Sequence, residues 1–80
     1  MTRLLELEAG REARIERLEV DGEDGPLLRA MGLCEGEPVT ILRRGLLGGP
    51  LHVRVGEASF ALGRSLAEQV WVSDHAGSAS

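Results

Sequence analysis

Apolar and polar residues alternate most regularly between residues 51 and 62. Residues 51–55 and 58–62 each carry an apolar residue at every second position, which is the period of a strand with one buried face. The Gly-Glu pair at 56–57 is typical of a two-residue type II′ hairpin turn. Such a turn pairs Val53 with Phe60 and places apolar residues opposite one another on that face. The turn and the alternation thus predict the same register, with Val53 and Phe60 both buried.

Three further segments are predicted as strands. The first lies near residues 12–20, where the apolar positions change parity between Ile15 and Leu18 and so predict a bulge. The abundance of Glu, Arg and Leu in this region also suits a helix, but the alternation favours a strand. The second segment begins at Pro38 and has period-two alternation. The third is the short apolar segment at residues 70–72.

Short helical segments separate these strands. A turn or helix is predicted near residues 4–8, and a helix over residues 26–31 that ends at Gly32 in a left-handed conformation. Ser65 followed by Glu68 fits a capping box and predicts one helical turn with Ser65 as the cap.

These elements define the expected fold class. The chain is predicted to be mainly β, a small barrel of about five short strands with one or two short helices, because closure hides the edges of a sheet. Residues 1–72 form one domain, as 80 residues allow no more. Residues 73–80 are small and polar and are expected to be a disordered C-terminal tail.

Composition and charge exclude several classes of function. The formal charge is −4, all nine basic residues are Arg, and the aromatic residues are one Phe and one Trp. Nucleic-acid binding, including a role at the ribosome, is therefore not expected, since it needs a basic surface and stacking platforms. No apolar stretch is long enough to insert into a membrane. The single cysteine excludes an internal disulfide, and the cytoplasm is the expected location.

The chain offers little material for catalysis or metal binding. Cys34, His52 and His75 are its only soft metal ligands, and their spacing matches no zinc pattern. Glu35 and Glu37 flank a turn without an evident apolar pocket, which argues against paired catalytic carboxylates. We therefore expect no metal site, no cofactor and no enzymatic activity.

The loop at residues 43–50 is the candidate partner-binding site. It combines two arginines, Arg43 and Arg44, with two leucines, Leu46 and Leu47, and exposed apolar groups beside arginine are typical of interfaces. The alternative is that one of the leucines folds back and plugs the end of the barrel.

Several short motifs, in order along residues 4–72, resemble the FeoA family. They are Leu5-Glu6-Leu7, Gly10 and Ala13-Arg14-Ile15; Leu27–Leu33 leading into Glu35–Val39, similar to an "L..MGL..G..V" signature; Arg43-Arg44 with Leu47–Leu51, similar to an "RR.PLG.P" loop; Val53–Val55 with Phe60–Leu62; and Ser65–Glu68 followed by Val70–Val72. The chain departs from the family at residues 45–46, where a small residue and proline often stand, and in its tight turn at residues 56–57.

The resemblance implies an SH3-like barrel and a function. It implies a cytosolic accessory protein of bacterial ferrous-iron uptake that binds FeoB, a membrane ferrous-iron permease with a GTP-binding domain. The same barrel occurs as the C-terminal domain of iron-dependent repressors of the diphtheria-toxin-repressor type, so a regulatory domain is the alternative. The sequence has no helix-turn-helix and is not a whole repressor. The contact surface on the permease and the oligomeric state stay open.

Overall fold

The backbone of the computed structural model, which describes residues 1–19 and 24–73, is mostly antiparallel strand. The described strands are β1 (Thr2–Arg3), β2 (Glu12–Leu18), β3 (Pro38–Arg44), β4 (Leu51–Val55), β5 (Ala58–Leu62) and β6 (Val70–Ser73). The helices are α1 (Asp24–Ala30) and α2 (Arg64–Ala67), with a single 3-10 turn at Leu4–Glu6 and a tight turn at Leu46–Gly48. The mainly β class is confirmed, as are the five predicted strand regions and the helical turn near residues 4–8.

Three elements differ from expectation. α1 begins at Asp24 and ends at Ala30, where a helix over residues 26–31 was predicted. β1 was not anticipated, because its two residues form a strand only by pairing with Trp71 and Val72 of β6. β6 ends at Ser73, one residue inside the segment predicted as a tail. The rest of that segment, with His75, lies outside the described residues.

The six strands form one antiparallel sheet in the order β1-β6-β2-β3-β4-β5. Its inner face carries the core, and α1 and the first 3-10 turn add to it. The buried apolar residues are Leu4, Leu7, Ala13, Ile15, Leu28, Leu33, Val39, Ile41, Leu51, Val53, Val55, Leu62, Ala67, Val70 and Val72. Every strand from β2 to β6 contributes, so burial of this face holds the sheet together.

The β4–β5 hairpin has the predicted register, with Val53 opposite Phe60 and Leu51 opposite Leu62. Gly56 has φ 62° while Glu57 has a negative φ, which identifies a type II′ turn. Phe60 is less buried than predicted. Val53 is fully buried, but Phe60 is only half-buried, because β4 is the only described strand that pairs with β5.

Bulges bend two of the strands. The predicted parity change in β2 appears as a register shift between Ile15 and Arg17 against β6. A second shift, between Ile41 and Arg43 against β4, was not predicted. Leu42 is the extra residue there, and it returns the following Arg44 to a position opposite the buried Leu51.

The helix termini show one success and one error of prediction. At the end of α1, Gly32 has φ 98°, and the Leu33 and Gly32 amides donate to the Leu28 and Arg29 carbonyls, a Schellman motif. At α2 the expected capping box is wrong. Gly63 is the N-cap, its carbonyl accepts from the Ala67 amide, and Ser65 lies within the helix.

Candidate partner-binding site

The β3–β4 connection is a loop closed by two backbone hydrogen bonds. The Gly45 amide donates to the Pro50 carbonyl at 2.8 Å, and the Gly49 amide donates to the Leu46 carbonyl at 2.9 Å. A Cβ on Gly45 would lie 2.6 Å from the Pro50 oxygen, so only glycine permits this approach. The turn at Leu46–Gly48 is therefore held out from the sheet on a short hydrogen-bonded neck.

Both leucines of this turn point into solvent. Leu46 is 88% exposed and Leu47 105% exposed relative to the reference side chain. The interpretation in which one of them plugs the barrel is therefore wrong. The end of the core is filled by other residues, and neither leucine contributes to it.

Leu47 is also held in an unfavourable backbone conformation. Its φ of 54° and ψ of 43° are left-handed helical, and it is the one non-glycine residue with positive φ among the described residues. For a residue with a Cβ this costs roughly 1–2 kcal/mol. No packing of its side chain offsets that cost, since the side chain is fully exposed. Such outliers are retained most often where a function uses them.

The two adjacent arginines play different roles. Arg43 is exposed and pairs with His52 across the sheet. Arg44, returned to the inner side by the bulge at Leu42, is half-buried and donates through Nη1 to the Leu5 carbonyl at 2.7 Å and to the Leu7 carbonyl at 2.5 Å. Of the two guanidinium groups predicted at the site, Arg43 is thus presented to solvent, while Arg44 fastens the first 3-10 turn to β3.

A further arginine was missed by sequence reasoning. The Arg64 side chain runs beside the loop, with its Cδ 3.6 Å and its Nε 3.8 Å from where a Cβ on Gly48 would stand. The predicted pairing of Leu51 with Leu62 already contained this signal, because it brings residues 63–64 to the same end of the hairpin as Pro50. We define the tip surface as Arg43, Leu46, Leu47 and Arg64.

The segment of sequence that contains the loop is basic. Residues 38–56 contain three arginines and no acidic residue, a formal charge of +3 on a chain whose total is −4. The strongest apolar exposure in the described residues therefore coincides with a basic stretch of an acidic protein.

The other candidate residues are dispersed. Cys34 is partly exposed, with its Sγ 3.9 Å from the Arg29 carbonyl, and Glu35 forms an exposed ion pair with Arg29 at 3.5 Å. His52 is half-buried in β4. Within residues 1–19 and 24–73, no three His, Cys, Asp or Glu side chains group as metal ligands. No helix in these ranges is long and apolar enough to span a membrane.

A second polar cluster lies on the outer face of β1, β6 and β2. The guanidinium groups of Arg3 and Arg17 lie 5.0 and 5.9 Å from the ring centre of Trp71. The indole Nε1 donates to Glu19 at 2.8 Å, and Glu19 also pairs with Arg17 at 2.7 Å. These cation–π and charged contacts satisfy one another and cover the ring, so the cluster is structural.

Comparisons with known proteins agree on one family. A family model described as the FeoA domain matches residues 2–74. FeoA from Stenotrophomonas maltophilia, solved in complex with zinc, is 35% identical over 95% of this chain and 93% of that one, with a TM-score of 0.79. Iron(II) transport protein A from Clostridium thermocellum is 34% identical over 91% of this chain and 45% of that one, with a TM-score of 0.87. A search of curated proteins found no match.

A manganese-dependent transcriptional repressor shares the fold. It superposes with a TM-score of 0.83 over 90% of this chain and 40% of the repressor, at 20% identity. The S. maltophilia protein is described as a prokaryotic SH3 domain protein and a candidate ferrous-iron transport activating factor. The sheet thus defines a small SH3-like domain, a fold that the manganese-dependent repressor shares. Among proteins with this fold, the chain belongs to the FeoA family.

Proposed function

We propose that this protein is a cytoplasmic, non-enzymatic accessory of ferrous-iron uptake that binds the cytosolic part of a FeoB-type permease through the tip surface. The observation that carries the proposal is the display of Leu46 and Leu47. Two neighbouring leucines are exposed on a hydrogen-bonded neck, one of them at a conformational cost, and neither belongs to the core. Burial in a partner would supply the missing stabilisation.

The chemistry of the tip surface defines what the partner must present. Two leucine side chains fit an apolar cleft, and Arg43 and Arg64 beside them favour carboxylates at its rim. Arg44, which was included in the sequence-based site, is left out because its guanidinium already holds the Leu5 and Leu7 carbonyls. A tip of this size buries little area, so we expect modest affinity, in the micromolar range.

The loop is suited to docking without rearrangement. Its neck is closed by the Gly45 and Gly49 hydrogen bonds, so the two leucines lose little backbone freedom on binding. Preorganisation of this kind improves affinity by lowering the entropy cost of association. The left-handed conformation of Leu47 belongs to this preorganised loop, so binding does not have to create it.

Calorimetric titration against the purified permease in lipid nanodiscs tests the proposal. Replacing Leu46 and Leu47 together by Ser should weaken binding at least tenfold, or about 1.4 kcal/mol, because each buried leucine is worth that much or more. Thermal unfolding should stay nearly unchanged, since neither side chain packs on the core. Leu27→Ser is the matched control, because Leu27 is a 50%-exposed leucine on α1.

The outcomes separate the function from the site. If the wild-type protein does not bind the permease, the proposed function is wrong. If the wild type binds and the double variant binds equally well, the adaptor function stands but the tip surface is not its contact. A sharp fall in unfolding temperature in the double variant would mean that the leucines pack in solution.

A further inference from the structure

β5 presents an open and unprotected sheet edge. Its residues pair with β4 on one side, and no described residue pairs with it on the other. Natural edge strands are commonly protected by charged residues, proline or a bulge. β5 reads Ala-Ser-Phe-Ala-Leu and has none of these. By contrast, the opposite edge of the sheet, β1, is only two residues long.

The hydrogen-bonding groups on this edge follow from the hairpin register. A two-residue turn is closed by a hydrogen-bonded pair, here Val55 and Ala58. Hydrogen-bonded and non-hydrogen-bonded pairs then alternate, so Phe60 and Leu62 also bond to β4. The amide and carbonyl groups of Ser59 and Ala61 consequently point away from β4, toward the open edge.

We propose that β5 pairs antiparallel with β5 of a second copy of this chain, centred on Phe60. This register places Ser59 of each copy opposite Ala61 of the other. The four outward backbone donors and four outward acceptors at these positions then form four hydrogen bonds across a twofold axis. The sheets of the two copies become continuous, and the interface is isologous.

The position of Phe60 supports a second copy of this chain as the partner of β5. Phe60 lies on the core face of β5 but is only half-buried, because none of the described strands lies on the free side of β5. In the proposed register the two Phe60 residues form a non-hydrogen-bonded pair on the axis, the closer type of cross-strand pair. The exposed half of each ring then contacts the other ring, in an arrangement that aromatic pairs favour.

The charges at the ends of β5 are self-complementary. Glu57 precedes the strand and Arg64 follows it, and both are exposed. Antiparallel self-pairing centred on Phe60 sets Glu57 opposite Gly63 of the second copy, next to Arg64. The edge itself carries no net charge, so the total of −4 on each chain is not concentrated at the contact. This complementarity favours a second copy over an unrelated extended peptide.

The dimer should be weak and should exchange rapidly. A five-residue edge buries less than the roughly 1,200 Å² of total surface that stable complexes need. Arg43, at the end of β3, and Leu46 and Leu47, on the β3–β4 connection, take no part in the pairing, and Arg64 is the one residue that the two contacts share. Association through β5 therefore goes beyond permease binding, and either can hold without the other.

Dilution experiments on the whole chain test the pairing. Amide NMR spectra and sedimentation should be recorded from roughly 20 µM to roughly 1 mM, the range in which an interface this small associates. The mass should rise toward that of a dimer, with concentration-dependent shifts centred on Ser59, Phe60 and Ala61. A protein that stays monomeric throughout, or shifts centred on Leu46 and Leu47, would overturn the proposal.

Ala61→Pro is the decisive variant, because it removes one outward amide per copy and no amide that β4 uses. Proline is tolerated at such edge positions. It should raise the dimer dissociation constant at least roughly tenfold, whereas Ala61→Val, which keeps the amide, should change it by less than about threefold. Equal dimerisation of both variants refutes the register.

A further measurement on the wild type decides the matter if Ala61→Pro does not fold. With rising concentration, the Ser59 and Ala61 amides should gain protection from solvent exchange, while the Phe60 amide, already bonded to β4, should not. Protection that is uniform along the chain would contradict the proposal.

Discussion

Replacing Arg44 by Met should destabilise the protein strongly, although the neighbouring Arg43 can be replaced almost without effect. Methionine keeps most of the length of the Arg44 stem and removes its donors. The Leu5 and Leu7 carbonyls then lose the guanidinium that they share at 2.7 and 2.5 Å. The first 3-10 turn loses the side chain that fastens it to β3.

The size of the effect follows from the burial of the contact. Hydrogen bonds to a charged group are worth about 1.5–3 kcal/mol each, but Arg44 is only half-buried and water can partly replace it. We therefore expect about 2 kcal/mol for the two bonds together. In a domain of this size each kcal/mol lowers the unfolding temperature by about 4–8 °C, so the change should be about 8–16 °C.

Chemical and thermal unfolding of the two single variants provide the assay. Arg43→Met is the matched control, because Arg43 is exposed and should change stability by less than about 0.5 kcal/mol. Hydrogen exchange should also become faster near Leu4–Leu7 in Arg44→Met. Equal loss of stability in the two variants, or a loss in Arg43→Met alone, would refute the assignment of Arg44 as the structural arginine.

Two further substitutions probe the neck of the loop and the open edge. Gly45→Ala should lower the free energy of unfolding by at least about 2 kcal/mol in denaturant, because the new Cβ would lie 2.6–2.9 Å from three backbone atoms. The control Gly63→Ala should lower it by less than about 1 kcal/mol, because Gly63 has open space around it and φ −62°. Equal losses in the two variants would contradict the close approach at Gly45. Phe60→Ala should lower the free energy of unfolding of the dilute protein by about 2 kcal/mol, roughly half the value for a fully buried aromatic residue. A loss of about 4 kcal/mol or more would mean that Phe60 is a fully buried core residue.

The sequence predicted the parts of the fold in which two local signals agreed. The β4–β5 hairpin is the clearest case, because a Gly-X turn and a period-two pattern independently required the same register. Gly32 is another, since a glycine after an apolar helical face is a strong signal for a left-handed C-terminus. β1 gave no such signal. Its two residues become a strand only by pairing with β6, about 70 residues further along the chain.

The candidate site was predicted in composition but not in geometry. The sequence marked two arginines and two leucines, and it left open whether the leucines face solvent or the core. Whether the leucines face solvent depends on the hydrogen bond from the Gly45 amide to the Pro50 carbonyl. This bond closes the neck and depends on the tertiary structure. The difference between Arg43 and Arg44 depends on the bulge at Leu42, for which the pattern Thr-Ile-Leu-Arg-Arg offers no marker.

Strain and exposure at Leu47 together argue for selection on binding instead of folding. A leucine that packs in the core can offset an unfavourable backbone conformation, and a glycine or asparagine at an exposed turn can avoid it. Leu47 does neither, since its side chain is fully exposed at φ 54°. In the free protein the Leu47 side chain therefore contributes no packing that offsets this backbone cost. Under the proposal made above, a partner that buries this side chain gains apolar contact without having to create the conformation, because the hydrogen-bonded neck already holds it.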